Sequence, residues 1–284
     1  KTVRPLYANT PIPNVDIEND VFALDSTTIS LSIKLFGWAR GKYSRGAIKV
    51  HTMLDLRGNI PTFIFITDGK YNDGNILDEI IPLPNAVYLM DRAYIDFTAL
   101  FRMNTVGAYF ITRSKETLDY LVTGWKMNID ESAGILSDKT IKLKGPKSKR
   151  LYPDKLRMVE YYDDEKDMVF VFITNNFEVS ALDVARLYRN RWQIEVFFKW
   201  IKQNLTIKTL WGHSENAVNI HIWIAICTYL IVAYVKFSLQ SKLSIYEIMQ
   251  ILGISAFDKA PVKELLTELQ VNQNVKEQYD LFNY

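Results

Sequence analysis

The stretch that most constrains this chain is 182–205, LDVARLYRNRWQIEVFFKWIKQNL, whose apolar spacing predicts one amphipathic helix. Beside its apolar face, four polar residues share an arc of roughly 60° at the helical repeat: Tyr188, Arg191, Glu195 and Lys202. Six apolar residues form the face itself, as in a helix that packs on a core: Leu187, Ile194, Phe197, Phe198, Ile201 and Leu205. Spacing alone leaves two interpretations open, a ladder of ion pairs on a solvated face or a polar stripe with a chemical role.

Length and composition indicate a folded chain with a sizeable core. The 284 residues are 48% hydrophobic, which suits one large domain or one domain with an insertion. The single Cys227 excludes a disulfide framework and a cysteine metal site, so we expect a reducing compartment. The apolar run 222–235 is shorter than the roughly 20 residues of a membrane span. We therefore interpret it as a buried helix of a soluble protein with no membrane partner.

Basic residues are segregated along the chain although the net charge is only +2. The first acid-free run lies between Asp25 and Asp55 and carries Lys34, Arg40, Lys42, Arg45 and Lys49. The second carries Lys139, Lys142, Lys144, Lys147, Lys149 and Arg150. Such runs with interleaved aromatic residues favour a nucleic-acid groove, and solvated lysine-rich loops are the alternative for the second run. Arg45 and Lys49 are the candidate DNA contacts of the first run.

Apolar runs and turn signals predict a mixed α/β core in the first part of the chain. Strands at 21–32, 46–56 and 60–67 form an antiparallel meander with short turns. A short helix at 73–81 follows. Strand 86–90, helix 96–103 and strand 107–112 then have the spacing of a parallel crossover.

The remaining sequence predicts an insertion followed by helices. Short alternating pieces between glycines and prolines make 114–167 a β-rich insertion. A strand at 168–174 leads to the helix at 182–205, which Ser180 caps. Further helices are predicted at 217–237, 244–252 and 261–270. The chain is thus divided into an extended segment (1–20), a core in two parts (21–113 and 168–284) and the insertion between them (114–167).

Three carboxylates fall at positions where they could meet. Asp25 lies in the first strand, Asp91 ends the fourth and Glu195 lies on the helix after the insertion. If the first and fourth strands are neighbours, the two aspartates come close together, and a helix that crosses the strand ends adds the glutamate. Because like charges raise each other's pKa, such a cluster needs a compensating cation, and oxygen ligands suit Mg²⁺ or Mn²⁺. The ordinary alternative for each aspartate is a turn or cap residue.

These residues resemble a known family. Asp25 in ALDSTTISL, Asp91 in LMDRAY and the Y-x-x-R-W-x-I-E stretch followed by Lys202 look like the cut-and-paste DDE transposases of the insertion-sequence-four family. The resemblance covers about 21–237 and implies an α/β fold of RNase H type. That fold has a mixed five-stranded sheet flanked by helices, a β-rich insertion before the catalytic helix, and C-terminal helices.

The resemblance also implies roles for individual residues. Asp25, Asp91 and Glu195 would be the catalytic residues and would hold two Mg²⁺ ions, with Mn²⁺ as a substitute. Arg191, Lys202 and Tyr188 would contact DNA, and Lys199 joins them as a DNA-binding candidate. The expected partners are double-stranded transposon ends and target DNA. We expect a dimer on DNA, acting at the nucleoid in the bacterial cytoplasm.

Two other functions remain open at this point. A metal-dependent nuclease of the same fold would cleave DNA without joining it, and a transposase remnant could bind DNA with an idle active site.

Some family members form a DNA hairpin and hold a flipped base with a tryptophan that precedes the strand leading to the catalytic helix. This chain has Phe170 there, which we interpret as a core residue.

Overall fold

The computed structural model describes residues 3–32, 34, 36–39, 46–204, 212–255 and 261–266. The chain divides into two compact units. The larger is Thr10–Phe198, and the smaller combines Lys1–Asn9 with Lys199–Tyr284. The smaller unit begins with a short helix, α1 (Arg4–Tyr7), which has a proline in its first turn, where no backbone donor is lost.

The first part of the larger unit has the predicted mixed sheet. The antiparallel meander is β1 (Val21–Leu31), β2 (Gly46–Asp55) and β3 (Ile60–Asp68). On the other side of β1 lie β4 (Val87–Met90) and then β5 (Tyr109–Arg113), both parallel to it. Helix α2 (Phe97–Thr105) connects them as a crossover, and Asp96 caps its first turn. The first and fourth strands are therefore adjacent in the sheet, which is the condition for Asp25 and Asp91 to come close together.

The insertion extends this sheet. Its strands are β6 (Tyr120–Trp125), β7 (Ile135–Leu143) and β8 (Leu156–Asp163), with the short helix α3 (Pro146–Leu151) between the last two. β9 (Met168–Thr174) pairs with β8 on one side and with β5 on the other, antiparallel to both. One sheet of nine strands results, in the order β3-β2-β1-β4-β5-β9-β8-β7-β6. The first five have the strand order of RNase H, which confirms the fold class, while the whole sheet is larger than the five strands predicted.

The predicted helix at 182–205 is two helices. α4 (Ala181–Asn190) ends and α5 (Trp192–Asn204) begins on either side of Arg191. The backbone amides of Arg191 and Ile194 donate to the carbonyls of Tyr188 and Arg191, each three residues back, at 3.1 Å. This tightened turn interrupts the α-helical repeat, so the prediction of one continuous helix is wrong at Arg191. The predicted Ser180 cap is present, because its hydroxyl accepts from the amide of Asp183.

Both parts of the large sheet contribute to one apolar core. Its buried members come from β1, β4, α2 and β5, and also from the insertion, for which the examples are Ile141, Tyr152, Leu156 and Met158. A buried ion pair between Arg157 of β8 and Asp138 of β7 lies at the junction with the segment before α4. The insertion strands therefore pack as part of the core unit.

The smaller unit is helical in its described part. α6 (Glu215–Ser238) begins after the cap Ser214, and α7 (Ile245–Ile254) after Ser244, which forms a capping box with Glu247. Residues 262–266 are helical, and the rest of the helix predicted at 261–270 lies outside the described residues. In length and composition α6 would suffice to cross a membrane, a test that the core helices of soluble proteins also pass.

Candidate active site

Asp25 lies within β1 and Asp91 lies directly after β4, at the point where the parallel pairing of these two strands ends. Leu24 of β1 is paired with Met90 of β4, so Asp25 and Asp91 follow directly after the last pair. Neighbouring strands are about 5 Å apart, which places the two backbones side by side. Asp91 also caps the turn after β4, because its Oδ1 accepts from the amide of Ala93 at 3.0 Å. The turn thereby fixes this carboxylate at the strand end.

The glutamate reaches the same place through Arg191. One guanidinium nitrogen of Arg191, Nη1, donates to Oδ2 of Asp25 at 2.7 Å, and the other, Nη2, donates to Oε1 of Glu195 at 2.7 Å. The exposed fractions of the side chains are 15% for Arg191, 20% for Asp25 and 34% for Glu195. Charged hydrogen bonds of this length are strong, so the arginine links the first strand to α5.

The electrostatics of Asp25 are those of an acid that lacks solvent. Burial raises the pKa of Asp25 to about 6, although Arg191 and the amide of Ser26 oppose the shift. Asp91 and Glu195 raise this pKa further by like-charge repulsion, which shows that both lie within electrostatic reach of Asp25.

The donor set of this site fits a hard divalent cation in its chemistry. All three acids supply oxygen ligands, and burial raises the pKa of Asp25, so that an added cation would favour its charged form. Within the described ranges, no group of three or more Asp, Glu, His or Cys side chains is arranged to hold a metal ion. The position between Asp25 and Glu195 is taken by the guanidinium of Arg191. A metal ion there would replace a cation that the protein itself supplies.

The predicted DNA-binding residues have different environments. Tyr188 is buried on α4, where burial raises its pKa to about 12, and the Arg191 guanidinium lies 5.7 Å from the centre of its ring. Lys199 and Lys202 are exposed on the part of α5 that belongs to the smaller unit. Arg45 lies outside the described residues.

Lys49 differs from the other candidates, because it is inside the protein. Its side chain is 9% exposed, and its Nζ donates to both carboxylate oxygens of Asp73 at 3.1 Å and to the carbonyl of Tyr71 at 2.8 Å. With these three acceptors its donors have internal partners. A lysine held in this way is not available to a DNA phosphate, so we leave Lys49 out of the proposed DNA contacts.

Sequence reasoning missed the residues around Lys49. In the sequence Asp73 has no predicted role beyond the start of a short helix. In the structure Asn72 caps the turn Asp73–Asp78, and the Asp73 carboxylate accepts from Ser26 and Lys49. The signal that could have found this group is the two-residue repeat of the strands, since Lys49 and His51 share a face of β2. Phe170 is buried and stacks with Phe172, in keeping with a core residue.

The order of the first five strands defines a chain of the RNase H type. Its candidate acidic site lies where the pairing of β1 with β4 ends. The sequence matches the family model described as "Transposase DDE domain" over residues 17–231. That match covers most of the chain, which therefore belongs to the family of transposases with a DDE domain.

Several curated proteins are similar to this chain, and each is named as a transposase. The protein y4zB of Sinorhizobium fredii is 31% identical over 209 residues, which are 72% of this chain and 58% of that protein. The transposase of insertion sequence element IS5377 from Geobacillus stearothermophilus is 28% identical, covering 74% of this chain and 55% of that protein. The transposase of element IS4SA from Synechocystis is also 28% identical, with 75% and 60% covered. The chain thus spans somewhat over half the length of these relatives.

Two solved structures show a loose likeness. A piggyBac transposase synaptic complex with hairpin DNA aligns over 100% of this chain and 60% of that chain, with 11% identity and a TM-score of 0.47. Endonuclease V from Streptomyces avermitilis aligns over 68% of this chain and 81% of that chain, with 12% identity and a TM-score of 0.27. At these scores neither structure contributes to the assignment of the fold.

Proposed function

We propose that this chain is the catalytic core of a transposase of the insertion-sequence-four family, which cuts DNA at the ends of a transposon and joins them to target DNA. The observation that carries the proposal is that Arg191 contacts both Asp25 and Glu195, next to the point where Asp25 of β1 and Asp91 after β4 lie in adjacent chain segments. Membership of the DDE transposase family supports the same reaction. The segment 114–167 is then an insertion within the catalytic core.

Each acid has a role in this proposal. Asp25, Asp91 and Glu195 would hold two Mg²⁺ ions, or Mn²⁺ in their place, and the ions would supply activation of the attacking oxygen and stabilisation of the leaving oxygen at phosphorus. Asp25 comes from β1, Asp91 from the residue after β4, and Glu195 from α5. The partly buried position of Asp25 strengthens its interaction with a cation, because solvent screens it less.

Basic and aromatic side chains position the DNA strand. In this proposal Arg191 exchanges its carboxylate partners for a phosphate of the bound strand. Lys199 and Lys202 are exposed and bind further phosphates. The ring of Tyr188 lies against the guanidinium of Arg191 in a cation–π contact. The partners are double-stranded transposon ends and target DNA, with the protein as a dimer on DNA in the bacterial cytoplasm.

A cleavage and joining assay tests this function. The full-length protein is incubated with labelled pre-cut transposon ends, a supercoiled target plasmid and Mg²⁺ or Mn²⁺. We expect joining, and we expect Glu195→Gln to lower its rate about a thousandfold, since the lost metal ligand is worth several kcal/mol at the transition state. Arg189→Gln, near the end of the preceding helix α4 and paired with exposed Glu165, is the matched control and keeps the rate.

The products distinguish the alternatives. Cleavage without joining would identify a nuclease of the same fold. Metal-independent DNA binding with neither reaction would identify a remnant with an idle site. Full activity of Glu195→Gln would refute the assignment of the three acids.

A further inference from the structure

A polar group lies directly behind Asp25, on the opposite face of the sheet. Side chains alternate along β1, so Ser26 points away from the face that Asp25 shares with Arg191. Its Oγ donates to Oδ1 of Asp73 at 2.7 Å. Asp73 in turn accepts from Lys49, which lies two residue pairs further along, opposite Thr28, on the same face of the sheet. The chain of contacts therefore runs from the candidate active site to a buried ion pair.

The strand needs such support at this point. β4 pairs with β1 only from Val21 to Leu24, so β1 loses its parallel neighbour immediately before Asp25. From there on β1 pairs with β2 alone, with Asp25 opposite Thr52. The Ser26 hydroxyl supplies a further restraint on β1 at this point, because it donates to Asp73 of the turn Asp73–Asp78.

The restraint is connected to the Asp25 carboxylate itself. The backbone amide of Ser26 donates to Oδ1 of Asp25 at 2.8 Å, while Arg191 contacts the other oxygen, Oδ2. One residue thus holds the Asp25 carboxylate with its amide and the Asp73 carboxylate with its hydroxyl. A shift of Ser26 would rotate the Asp25 oxygens relative to Asp91 and Glu195.

The ion pair that Ser26 contacts, Lys49 with Asp73, is closely hydrogen-bonded, and its two charges cancel. Lys49 is held by both Asp73 oxygens and by the Tyr71 carbonyl. His51 lies beside Asp73 with its Nδ1 3.8 Å from Oδ1, and burial lowers its pKa to about 4, so at neutral pH it is uncharged. Its Nε2 is 3.0 Å from the Thr67 hydroxyl on β3. The group therefore connects three strands and one turn without adding net charge near the acids.

We propose that Ser26 and the Asp73–Lys49 pair are positioning residues that hold the Asp25 carboxylate in the orientation that binds metal. This inference rests on the proposed function, in which Asp25 is a metal ligand. Partners that orient a metal ligand commonly change metal affinity by about ten- to a hundredfold when removed. Because Ser26 acts through its backbone amide, we expect the lower end of that range.

The test measures direct Mn²⁺ binding to the full-length protein, without DNA, by titration calorimetry. Ser26→Ala removes the hydroxyl and should weaken Mn²⁺ binding about tenfold. Ser26→Thr keeps a hydroxyl at the same position and should restore most of the affinity. Thr28→Val is the matched control, because Thr28 is two residues further along the same strand and exposed, and it should bind as the unchanged protein does.

A second readout separates positioning from general loss of structure. The KM for DNA should stay the same in Ser26→Ala while the Mn²⁺ concentration for half-maximal cleavage rises. Equal Mn²⁺ affinity of Ser26→Ala and the unchanged protein would overturn the inference and leave the proposed function intact. If the unchanged protein showed no Mn²⁺ binding that Asp25→Asn abolishes, the proposed function and this inference would both fail.

Discussion

Arg157 and Arg191 both hold carboxylates, and their hydrogen-bond partners are arranged differently. Arg157 binds a single carboxylate with two nitrogens, Nε and Nη2, at 2.8 and 2.7 Å from Asp138. Its Nη1 donates to the carbonyls of Asn176 and Val179, and its side chain is 2% exposed. Arg191 instead divides its two Nη groups between Asp25 and Glu195. In the described part of the chain its buried Nε has no hydrogen-bond partner.

The difference distinguishes an ion pair that supports the fold from one that can be exchanged. Arg157 has partners on all three nitrogens, and two of these partners lie in the segment before α4, so it fixes the path into that helix. Arg191 leaves one donor unpaired and contacts each of its two acids through a single nitrogen, while burial keeps the pKa of Asp25 at about 6 despite this contact. An incomplete set of partners is suited to a site where a phosphate or a metal ion takes over.

The largest expected effect is the loss of Arg157. Arg157→Leu leaves the Asp138 charge buried without its partner and should lower the free energy of unfolding by about 3–5 kcal/mol. Chemical denaturation at neutral pH measures this. Arg186→Leu is the control, because its ion pair with Asp183 is exposed and should contribute less than about 1 kcal/mol. Equal losses in the two variants would remove the distinction between the two arginines.

The pH dependence of Asp25 comes next in size. Its folded pKa of about 6 lies above its ordinary value of 3.8, so the stability that its proton provides is present at low pH and lost as pH rises through about 6. Relative to Asp25→Asn, the unchanged protein should therefore lose roughly 2 kcal/mol between about pH 4 and pH 7. Urea denaturation across this range measures the difference. Asp164→Asn, at an exposed position, should run parallel to the unchanged protein, and a parallel Asp25→Asn curve would contradict the shift.

The smallest effect on stability is expected for Arg191. Arg191→Gln should change the free energy of unfolding by only about 1 kcal/mol, because Asp25 can take up a proton and Glu195 is partly solvated. The same variant should lower the salt slope of DNA binding by about one, as for a lost phosphate contact. Arg189→Gln serves again as the neighbouring control. A loss of stability as large as that of Arg157→Leu would show that Arg191 supports the fold.

The sequence predicted those features that depend on local patterns. The buried run before Asp91 and the apolar spacing of 96–112 predict the parallel crossover, which the structure confirms, and the pairing of β1 with β4 puts Asp25 next to the end of β4, where Asp91 follows. The role of Glu195 stays a prediction; its side chain meets Arg191 through an i, i+4 contact although the helix is broken there.

The remaining features depend on partners distant in the chain. Nothing in the alternation of β6 to β9 shows that these strands continue the first sheet, since any antiparallel piece has the same pattern. The sequence predicts Lys49 to contact DNA, because its ion-pair partner Asp73 lies in another element and is not evident from the residues around Lys49. The break at Arg191 comes from two backbone hydrogen bonds, which side-chain periodicity does not reveal.

The way β9 pairs with β5 has a consequence for changes in the insertion. Strands β6 to β9 join the first five strands through three residue pairs, Ile111 to Arg113 with Thr174 to Phe172, and take no part in the pairing of β1 with β4. A change in the length of the insertion strands therefore leaves the spacing between the backbones at Asp25 and Asp91 unaltered.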